Sequence, residues 1–262
     1  MAKLIEKLWN WGHLERSHNK CTGLTDCSMS PEEFAEEYGI RNSFIVSYGG
    51  NIQPPFDDMA KRFSVLNNVK WSVIGDASSP LPEDRLADTN AVIDVAGKFD
   101  NITGAIVDDF FSPKRMERFT PEVLMDIKKA LNAKGLDFWC VLYGDQLDLD
   151  LEKYMECFDG ISFWIWKSKD IVHMDEYLEK VFKHAKGKPV MLGMYLWDYS
   201  GDVNRPIPGE VFETQIKRYF NLLMDKKIEG IIYCSGTIGD ADLETNKILK
   251  KYIAEFGENI IE

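Results

Sequence analysis

The stretch ITGAIVDDFFSPKRMERFTPEVLMDIKKALNAKG, residues 102–135, contains one complete strand-and-helix unit of this chain. Its first part is a short apolar run, typical of a buried strand, and it ends in two adjacent aspartates. Its second part is amphipathic, with Thr120 and Pro121 as helix N-cap and first helical residue and Gly135 as the residue that ends the helix. The stretch therefore predicts a strand, an acidic loop and a helix.

The same alternation of a short apolar run and a helix-like segment occurs eight times. The apolar runs lie at residues 7–13, 42–50, 69–76, 102–111, 136–145, 160–168, 189–200 and 229–237. Eight such units in 262 residues match the size and rhythm of a (β/α)8 barrel. An open, doubly wound sheet is the alternative, but it usually has fewer units, and no GxGxxG follows the first run. No linker divides the chain, so the sequence predicts an α/β, single-domain (β/α)8 TIM barrel over residues 1–262.

The composition argues against several classes of function. The net charge is −12 and no basic run offsets it, so we expect no nucleic-acid partner and no membrane partner. No run approaches the ~18 apolar residues of a membrane helix. The four histidines form no HxH or HExxH, which argues against a zinc enzyme built on histidine. We therefore expect neither a metal nor a cofactor.

The five cysteines favour a reducing compartment. Their number is odd, no CxxC occurs, and Cys140 and Cys234 lie in apolar runs, so reduced thiols and a cytoplasmic protein fit best. The start of the chain has no apolar segment of the kind that a signal peptide needs. A secreted form with its signal removed stays open, as does a bridge between Cys21 and Cys27.

Two aspartates at the end of the fourth run are the first candidates for catalysis. In a (β/α)8 barrel the chemistry lies at the C-terminal ends of the strands, where Asp108 and Asp109 are expected. Because side chains alternate along a strand, we expect only one of them to point into the barrel, and we favour Asp108. Its expected partner is Asp145, on the fifth strand, or Asp198, on the seventh. A solvated pair of loop residues is the structural alternative.

Aromatic and polar residues are expected to line the mouth of the barrel and to bind the substrate. Aromatic rings with a polar atom suit sugars, because they stack on C–H faces and form hydrogen bonds at the rim. The substrate is thus expected to be a carbohydrate or another small molecule, although each ring could instead fill the core. The candidates are Trp11, His13, Tyr48, Asp76, Tyr143, Trp164, Trp166, Tyr195 and Trp197.

The segment GAIVDDFF, residues 104–111, resembles the fourth strand of glycoside hydrolase-type (β/α)8 barrels, in which a glycine, a short apolar run, an acid or acid pair and an aromatic residue follow one another. It is loosely similar to the chitinase-type motif DGxDxDxE. In that alignment Asp108 matches the last aspartate, and Phe110 stands where the proton-donating glutamate would be. The resemblance implies a carbohydrate-active hydrolase that uses aspartates as acid, base or nucleophile. The departure at Phe110 argues against the substrate-assisted mechanism of chitinases.

Three other functions remain open from the sequence. The missing glutamate also fits a carbohydrate-binding barrel without catalysis. Lys167, at the end of the sixth run, suggests a Schiff-base aldolase or lyase, with SGTIGD at residues 235–240 as a possible phosphate loop. A metal-dependent hydrolase would use Asp108, Asp109 and His13 as ligands.

Overall fold

The computed structural model describes residues 1–201 and 203–261, and a closed barrel of eight parallel strands forms its centre. Each strand pairs with its neighbours in chain order, and the last strand pairs with the first. Numbered β1 to β8, the strands are Leu8–Gly12, Asn42–Ile45, Asn68–Ile74, Ile102–Val107, Asp137–Tyr143, Gly160–Trp164, Val190–Tyr195 and Gly230–Cys234.

Ten α-helices occur in the described part of the chain. Numbered α1 to α10, they are Asn19–Thr22, Pro31–Tyr38, Asp57–Arg62, Ala87–Ala96, Pro113–Arg118, Pro121–Asn132, Glu152–Met155, Met174–Ala185, Gly209–Met224 and Glu244–Phe256. In α6 the buried residues Leu124, Ile127 and Leu131 follow helical spacing, so one face packs on the barrel. The predicted cap before α2 is also present, since Ser30 forms a capping box with Glu33. Thr120 precedes α6 without a side-chain cap hydrogen bond.

The (β/α)8 barrel that the sequence predicts is confirmed. Each of the eight apolar runs contains one barrel strand, because a strand that is covered on both sides needs a nearly continuous apolar run. Outside the barrel, Ala2–Lys3 pairs in antiparallel fashion with Ile260–Ile261, and Trp197–Asp198 pairs in the same way with Arg205–Pro206. None of the helices described is long and apolar enough to cross a membrane.

At the N-terminal end of the barrel, an ion pair between the buried Lys70 and the partly exposed Asp137 spans three strands. Lys70 on β3, Gly104 on β4 and Asp137 on β5 are consecutive partners in the sheet. The Lys70 ammonium lies 2.5 Å from the Asp137 carboxylate. It also lies between two tryptophan rings, 5.5 Å from the ring centroid of Trp9 and 5.3 Å from that of Trp139. A Cβ on Gly104 would lie 1.8 Å from the Asp137 carboxylate, so the pair requires glycine there.

All five cysteines are free. The bridge between Cys21 and Cys27 that the sequence left open is therefore not formed in this structure.

Candidate active site

A cavity of about 360 Å³ opens at the C-terminal end of the barrel. Every strand end contributes to it, and its volume lies within the usual range of small-ligand sites. A groove of about 440 Å³ between α9 and α10 is larger, but it is lined by helix and terminal residues and lies away from the strand ends. The residues that line the cavity are Trp11, His13, His18, Cys21, Tyr48, Asp76, Asp108, Asp109, Tyr143, Trp166, Tyr195, Tyr199, Gly201, Asn204 and Cys234.

Asp108 and Asp109 both line the cavity, which corrects the expectation that only one of them would point inward. Strand β4 ends at Val107, so the strict alternation of side chains stops just before the pair. Asp109 then adopts a left-handed backbone conformation with φ of 46°. Both aspartates thus line one cavity although they are adjacent in the chain, which the alternation of a regular strand does not predict.

Asp108 is almost completely buried, with 4% of its surface exposed. One carboxyl oxygen accepts a hydrogen bond of 2.8 Å from the backbone N–H of Asp109. Burial raises the pKa of Asp108 well above its ordinary value, and the charges of Asp109 and Asp76 raise it further, whereas Arg115 acts in the opposite direction. The site therefore favours the protonated acid of Asp108.

Asp109 is half-buried and is held by two donors. The Tyr143 hydroxyl donates to one carboxylate oxygen at 2.7 Å, and the backbone N–H of Ala77 donates to the other at 2.8 Å. Burial raises the pKa of Tyr143 well above its ordinary value, and the neighbouring Tyr195 and aspartates add to this effect, so Tyr143 keeps its proton as a donor. Asp109 is thus oriented while each oxygen keeps a further lone pair for a ligand.

Asp76 organises the loops beside the acid pair. One of its oxygens accepts hydrogen bonds from the Gly49 N–H at 3.1 Å and from the Ser79 hydroxyl at 2.6 Å, and the other accepts from the Ser78 hydroxyl at 2.6 Å. With three protein donors on its carboxylate, Asp76 fixes the loops after β2 and β3 and lines the wall of the cavity.

Arg115 on α5 locks the ends of β3 and β4 together. Its buried guanidinium donates to the carbonyl oxygens of Gly75 at 2.6 Å and Asp108 at 2.8 Å, and also to that of Asp76. Sequence reasoning missed this residue. Nothing in the local sequence distinguishes it from the other basic residues of the same short helix, because its partners are backbone groups of distant strands.

Two neutral histidines form one side of the cavity. The His13 and His18 rings lie 4.4 Å apart between centroids, and His13 Nδ1 is 3.3 Å from the Ser235 hydroxyl. Burial lowers the pKa of His13 well below its ordinary value, and His18 lowers it further. Burial also lowers the pKa of His18, to about 4, although Asp76 acts in the opposite direction. His13 was predicted from the sequence, whereas His18 was not.

Trp166 stands at the mouth, with 40% of its surface exposed. Its ring centroid lies 5.5 Å from that of Tyr195, 6.0 Å from Tyr143 and 6.4 Å from Tyr199, whose ring is nearly parallel to it. Exposed tryptophan among tyrosines provides a flat surface for the C–H face of a sugar. Trp166, Tyr143 and Tyr195 were predicted to be here, as were Trp11 and Tyr48, whereas Tyr199 was missed.

The structure does not bring Asp145 or Asp198 to the cavity. Asp145 is exposed in the turn after β5. Asp198 is 1% exposed, and its two oxygens accept hydrogen bonds from the backbone N–H and hydroxyl groups of Ser168 and Ser200, with both N–H distances at 2.9 Å. Burial alone would raise the pKa of Asp198, but these hydrogen bonds lower it below its ordinary value. Asp198 therefore ties two loops together as a carboxylate.

Two predicted tryptophans also lie outside the cavity lining. Trp164 fills the barrel beneath it, where the indole N–H donates to the Ser162 hydroxyl at 2.7 Å and the ring packs on Gly193. A Cβ on Gly193 would lie only 2.0 Å from that ring, so β7 needs a glycine there. Trp197 is buried in the short hairpin after β7 and donates to Asn204 at 2.9 Å.

The described residues offer little support for two of the other chemistries. Lys167 is exposed and does not line the cavity, and no lysine is among the described residues that do. No group of three or more histidines, cysteines or acids in residues 1–201 and 203–261 is arranged to hold a metal ion.

Known structures share this fold at low sequence identity. The catalytic domain of a chitinase from Pyrococcus furiosus matches with a TM-score of 0.62 and 11% identity, over 97% of each chain. A GH18 chitinase from Pseudoalteromonas aurantia matches with a TM-score of 0.60 and 13% identity, over 95% of this chain and 99% of that one. A xylanase and α-amylase inhibitor protein, in complex with trehalose, matches with a TM-score of 0.58 and 16% identity, over 93% and 97%.

No protein-family model matches the chain, and no curated protein matches it significantly. The structural matches include an aldolase barrel as well as glycoside hydrolases. The chain is therefore a (β/α)8 barrel like those of glycoside hydrolases, and at these identities the likeness establishes the fold alone.

Proposed function

We propose that this protein hydrolyses glycosidic bonds with Asp108 and Asp109 as its two catalytic carboxyl groups. The observation that supports this most is the contrast between two adjacent acids in one cavity. Asp108 is buried and favours its protonated form, whereas Asp109 is oriented by Tyr143 and Ala77. Two carboxyl groups in different environments are what acid and base roles in glycoside hydrolysis require.

In this proposal Asp108 is the general acid. A proton on its carboxyl group passes to the oxygen of the departing sugar as the glycosidic bond breaks, so that the leaving group departs as a neutral alcohol. The raised pKa of Asp108 keeps that proton in place over a wider pH range than an exposed aspartate would.

Asp109 acts on the anomeric carbon or on the attacking water, as the second carboxylate of a glycosidase does. The Tyr143 hydroxyl holds one of its oxygens in a fixed direction. Asp109 takes this role in place of Asp145 and Asp198, because neither of those residues lines the cavity.

Phe110 supports a mechanism unlike that of the chitinase motif. It stands where the motif's proton-donating glutamate would be, and it is fully buried among aromatic rings, 5.8 Å from Tyr154 and 6.1 Å from Phe158 between centroids. No acid can serve from that position, so in this proposal the proton comes from Asp108, two residues earlier.

The test is hydrolysis of a panel of aryl glycosides and oligosaccharides by the parent protein and three single variants. We expect Asp108→Asn and Asp109→Asn to lower kcat by a factor of about 10² or more. Asp145→Asn is the matched control, because it removes an exposed acid outside the cavity, and we expect it to retain full activity. Full activity in both cavity variants, with their folding intact, would contradict the assignment.

A carbohydrate-binding barrel without catalysis is the second candidate. It is favoured by the hydrogen bonds that protein donors already make to both oxygens of Asp109, and by the likeness to an inhibitor protein in complex with trehalose. Binding of sugars by the parent protein without any cleavage across the panel would establish it instead.

A further inference from the structure

Two residues that line the cavity each carry a buried polar group without a partner among the described residues. Nδ1 of His18 and the hydroxyl of Tyr199 are buried and, among the described residues, have no hydrogen-bond partner. Both residues line the cavity, His18 is 4% exposed, and their ring centroids lie 5.2 Å apart. Buried polar groups in folded proteins are nearly always satisfied, so an unpaired set beside a cavity points to a ligand.

The chemistry of these two groups defines what they can bind. A neutral imidazole nitrogen either donates or accepts one hydrogen bond, and a tyrosine hydroxyl does both. His18 is neutral at pH 7, because its pKa is lowered to about 4. Burial raises the pKa of Tyr199 well above its ordinary value, so it keeps its proton. A hydroxyl group, which also donates and accepts, is the natural partner for both.

We propose that His18 and Tyr199 form a subsite that binds hydroxyl groups of an uncharged sugar ring. This subsite rests on the proposed function and adds to it the substrate class. The rings of Tyr48 and His13 border His18 at 5.0 and 4.4 Å between centroids, so a ring bound here has both polar partners and apolar walls.

The surrounding charges disfavour an acidic sugar. Asp76, Asp108 and Asp109 line the same cavity, and none of the described residues that line it is lysine or arginine. The carboxylate of a uronic acid would therefore be desolvated beside acids with no cation to balance it.

The same surroundings provide little electrostatic stabilisation for a positively charged sugar. The acid whose charge acts on His18 is Asp76, and its carboxylate already accepts three hydrogen bonds from protein groups. The acid pair offers one group that favours its neutral form, Asp108. An ammonium group at the His18 subsite would thus face two uncharged partners.

The test measures sugar binding in the Asp108→Asn background, so that turnover does not interfere. Isothermal titration with methyl glycosides and cellobiose-sized neutral sugars is compared before and after adding Tyr199→Phe or His18→Phe. We expect each change to weaken binding by about three- to tenfold, the usual effect of one neutral hydrogen bond. Because each removes an unpaired polar atom, we expect the melting temperature to stay the same or rise.

Tyr154→Phe is the matched control. The change removes a tyrosine hydroxyl that donates a hydrogen bond of 3.3 Å to the Met116 carbonyl, and Tyr154 does not line the cavity. We expect it to leave sugar affinity unchanged.

The outcomes separate this inference from the proposed function. Two results would overturn the subsite and leave the hydrolase proposal standing. One is an affinity for neutral sugars that Tyr199→Phe does not change relative to the background protein. The other is an affinity for methyl glucuronide equal to that for methyl glucoside. If no sugar of the panel binds to the background protein, both proposals fail. Tyr199→Phe keeps the test decisive even if His18→Phe does not fold, because it removes a single oxygen atom.

Discussion

The two ends of the barrel treat buried charge in opposite ways. At the N-terminal end, the Lys70 ammonium has a carboxylate partner in Asp137 and lies between two tryptophan rings. At the C-terminal end, Asp108 is equally buried, but its charged neighbours include two further acids. Burial disfavours the charged form at both ends, since it lowers the pKa of Lys70 and raises that of Asp108. Asp137 partly offsets this effect at Lys70, whereas Asp109 and Asp76 add to it at Asp108.

This difference fits a division of labour between the two ends. In (β/α)8 barrels, features of the N-terminal face serve stability, whereas those of the C-terminal face serve chemistry. A buried carboxyl group that destabilises the free protein can be retained because it acts on a bound ligand, so function at such a site lowers stability. We therefore expect changes at the C-terminal end to lower activity most and changes at the N-terminal end to leave it unchanged.

The largest expected effect is that of Asp108→Asn, which should lower activity and raise stability at neutral pH. The folded state raises the pKa of Asp108 above its unfolded value near ~3.9. The stability that this group contributes is thus fully present below that unfolded value and is lost as the pH rises through the folded pKa. Asparagine does not ionise, so the variant should gain stability relative to the parent as the pH rises from about 3.

Thermal melts of both proteins between about pH 3 and 8 would measure this difference. A difference in melting temperature that does not change with pH would show that Asp108 titrates at its ordinary pKa.

A smaller effect is expected for Tyr143→Phe. The change removes the hydrogen bond of 2.7 Å that orients Asp109 but keeps the aromatic ring. Hydrogen bonds to charged groups are worth enough to predict a kcat lower by about 10- to 100-fold, with a small change in KM. Steady-state kinetics on the best glycoside of the panel would measure it, with Tyr154→Phe as the control. A change in KM alone would assign Tyr143 to substrate binding.

The smallest effect on activity is expected at the other end of the barrel. Asp137→Asn leaves the buried ammonium of Lys70 without its carboxylate. Breaking a fully buried pair costs about 3–5 kcal/mol. Because the Asp137 side chain is 38% exposed, we expect a smaller loss of about 1–3 kcal/mol in the free energy of unfolding, with kcat unchanged. Lys70→Met is the comparison variant. Because it removes the buried charge itself, it should lower the free energy of unfolding by less than Asp137→Asn does. Urea unfolding of both variants measures this. A larger loss in Lys70→Met would mean that the packing of the lysine chain matters more than the charge.

The fold could be predicted from the sequence because its signal is repeated. Each of the eight units carries its own apolar run, so a mistake in one unit does not change the architecture. The glycine of GAIVDDFF, however, has a structural reason that the resemblance does not supply. Gly104 is where Asp137 reaches across to Lys70, a contact between three strands that no local pattern contains.

The site could be predicted only in part. The positions of Asp108 and Asp109 followed from the barrel rule, since strand ends are fixed by the fold. Their shared direction did not, because it depends on the left-handed conformation of Asp109 in a loop. His18 and Tyr199 were missed for a related reason: they follow the strands at distances where side-chain alternation no longer applies.

The role of Asp198, the partner acid expected on the seventh strand, could not be predicted from the sequence either. Asp198 follows β7 much as Asp108 follows β4, yet its partners are Ser168, thirty residues earlier, and Ser200. Only the folded chain reveals that its carboxylate is fully engaged by these two serines. An acid at a strand end is therefore a candidate whose role depends on which donors the neighbouring loops bring to it.

The most direct test of the central claim is the titration of Asp108 itself, followed by NMR of protein labelled with ¹³C at the aspartate carboxyl groups. We expect one resonance that titrates well above the ordinary range of aspartate and that is absent from Asp108→Asn. If every carboxyl resonance that Asp108→Asn removes titrates near ~3.9 instead, Asp108 is an ordinary carboxylate. The assignment of Asp108 as the proton donor would then be contradicted.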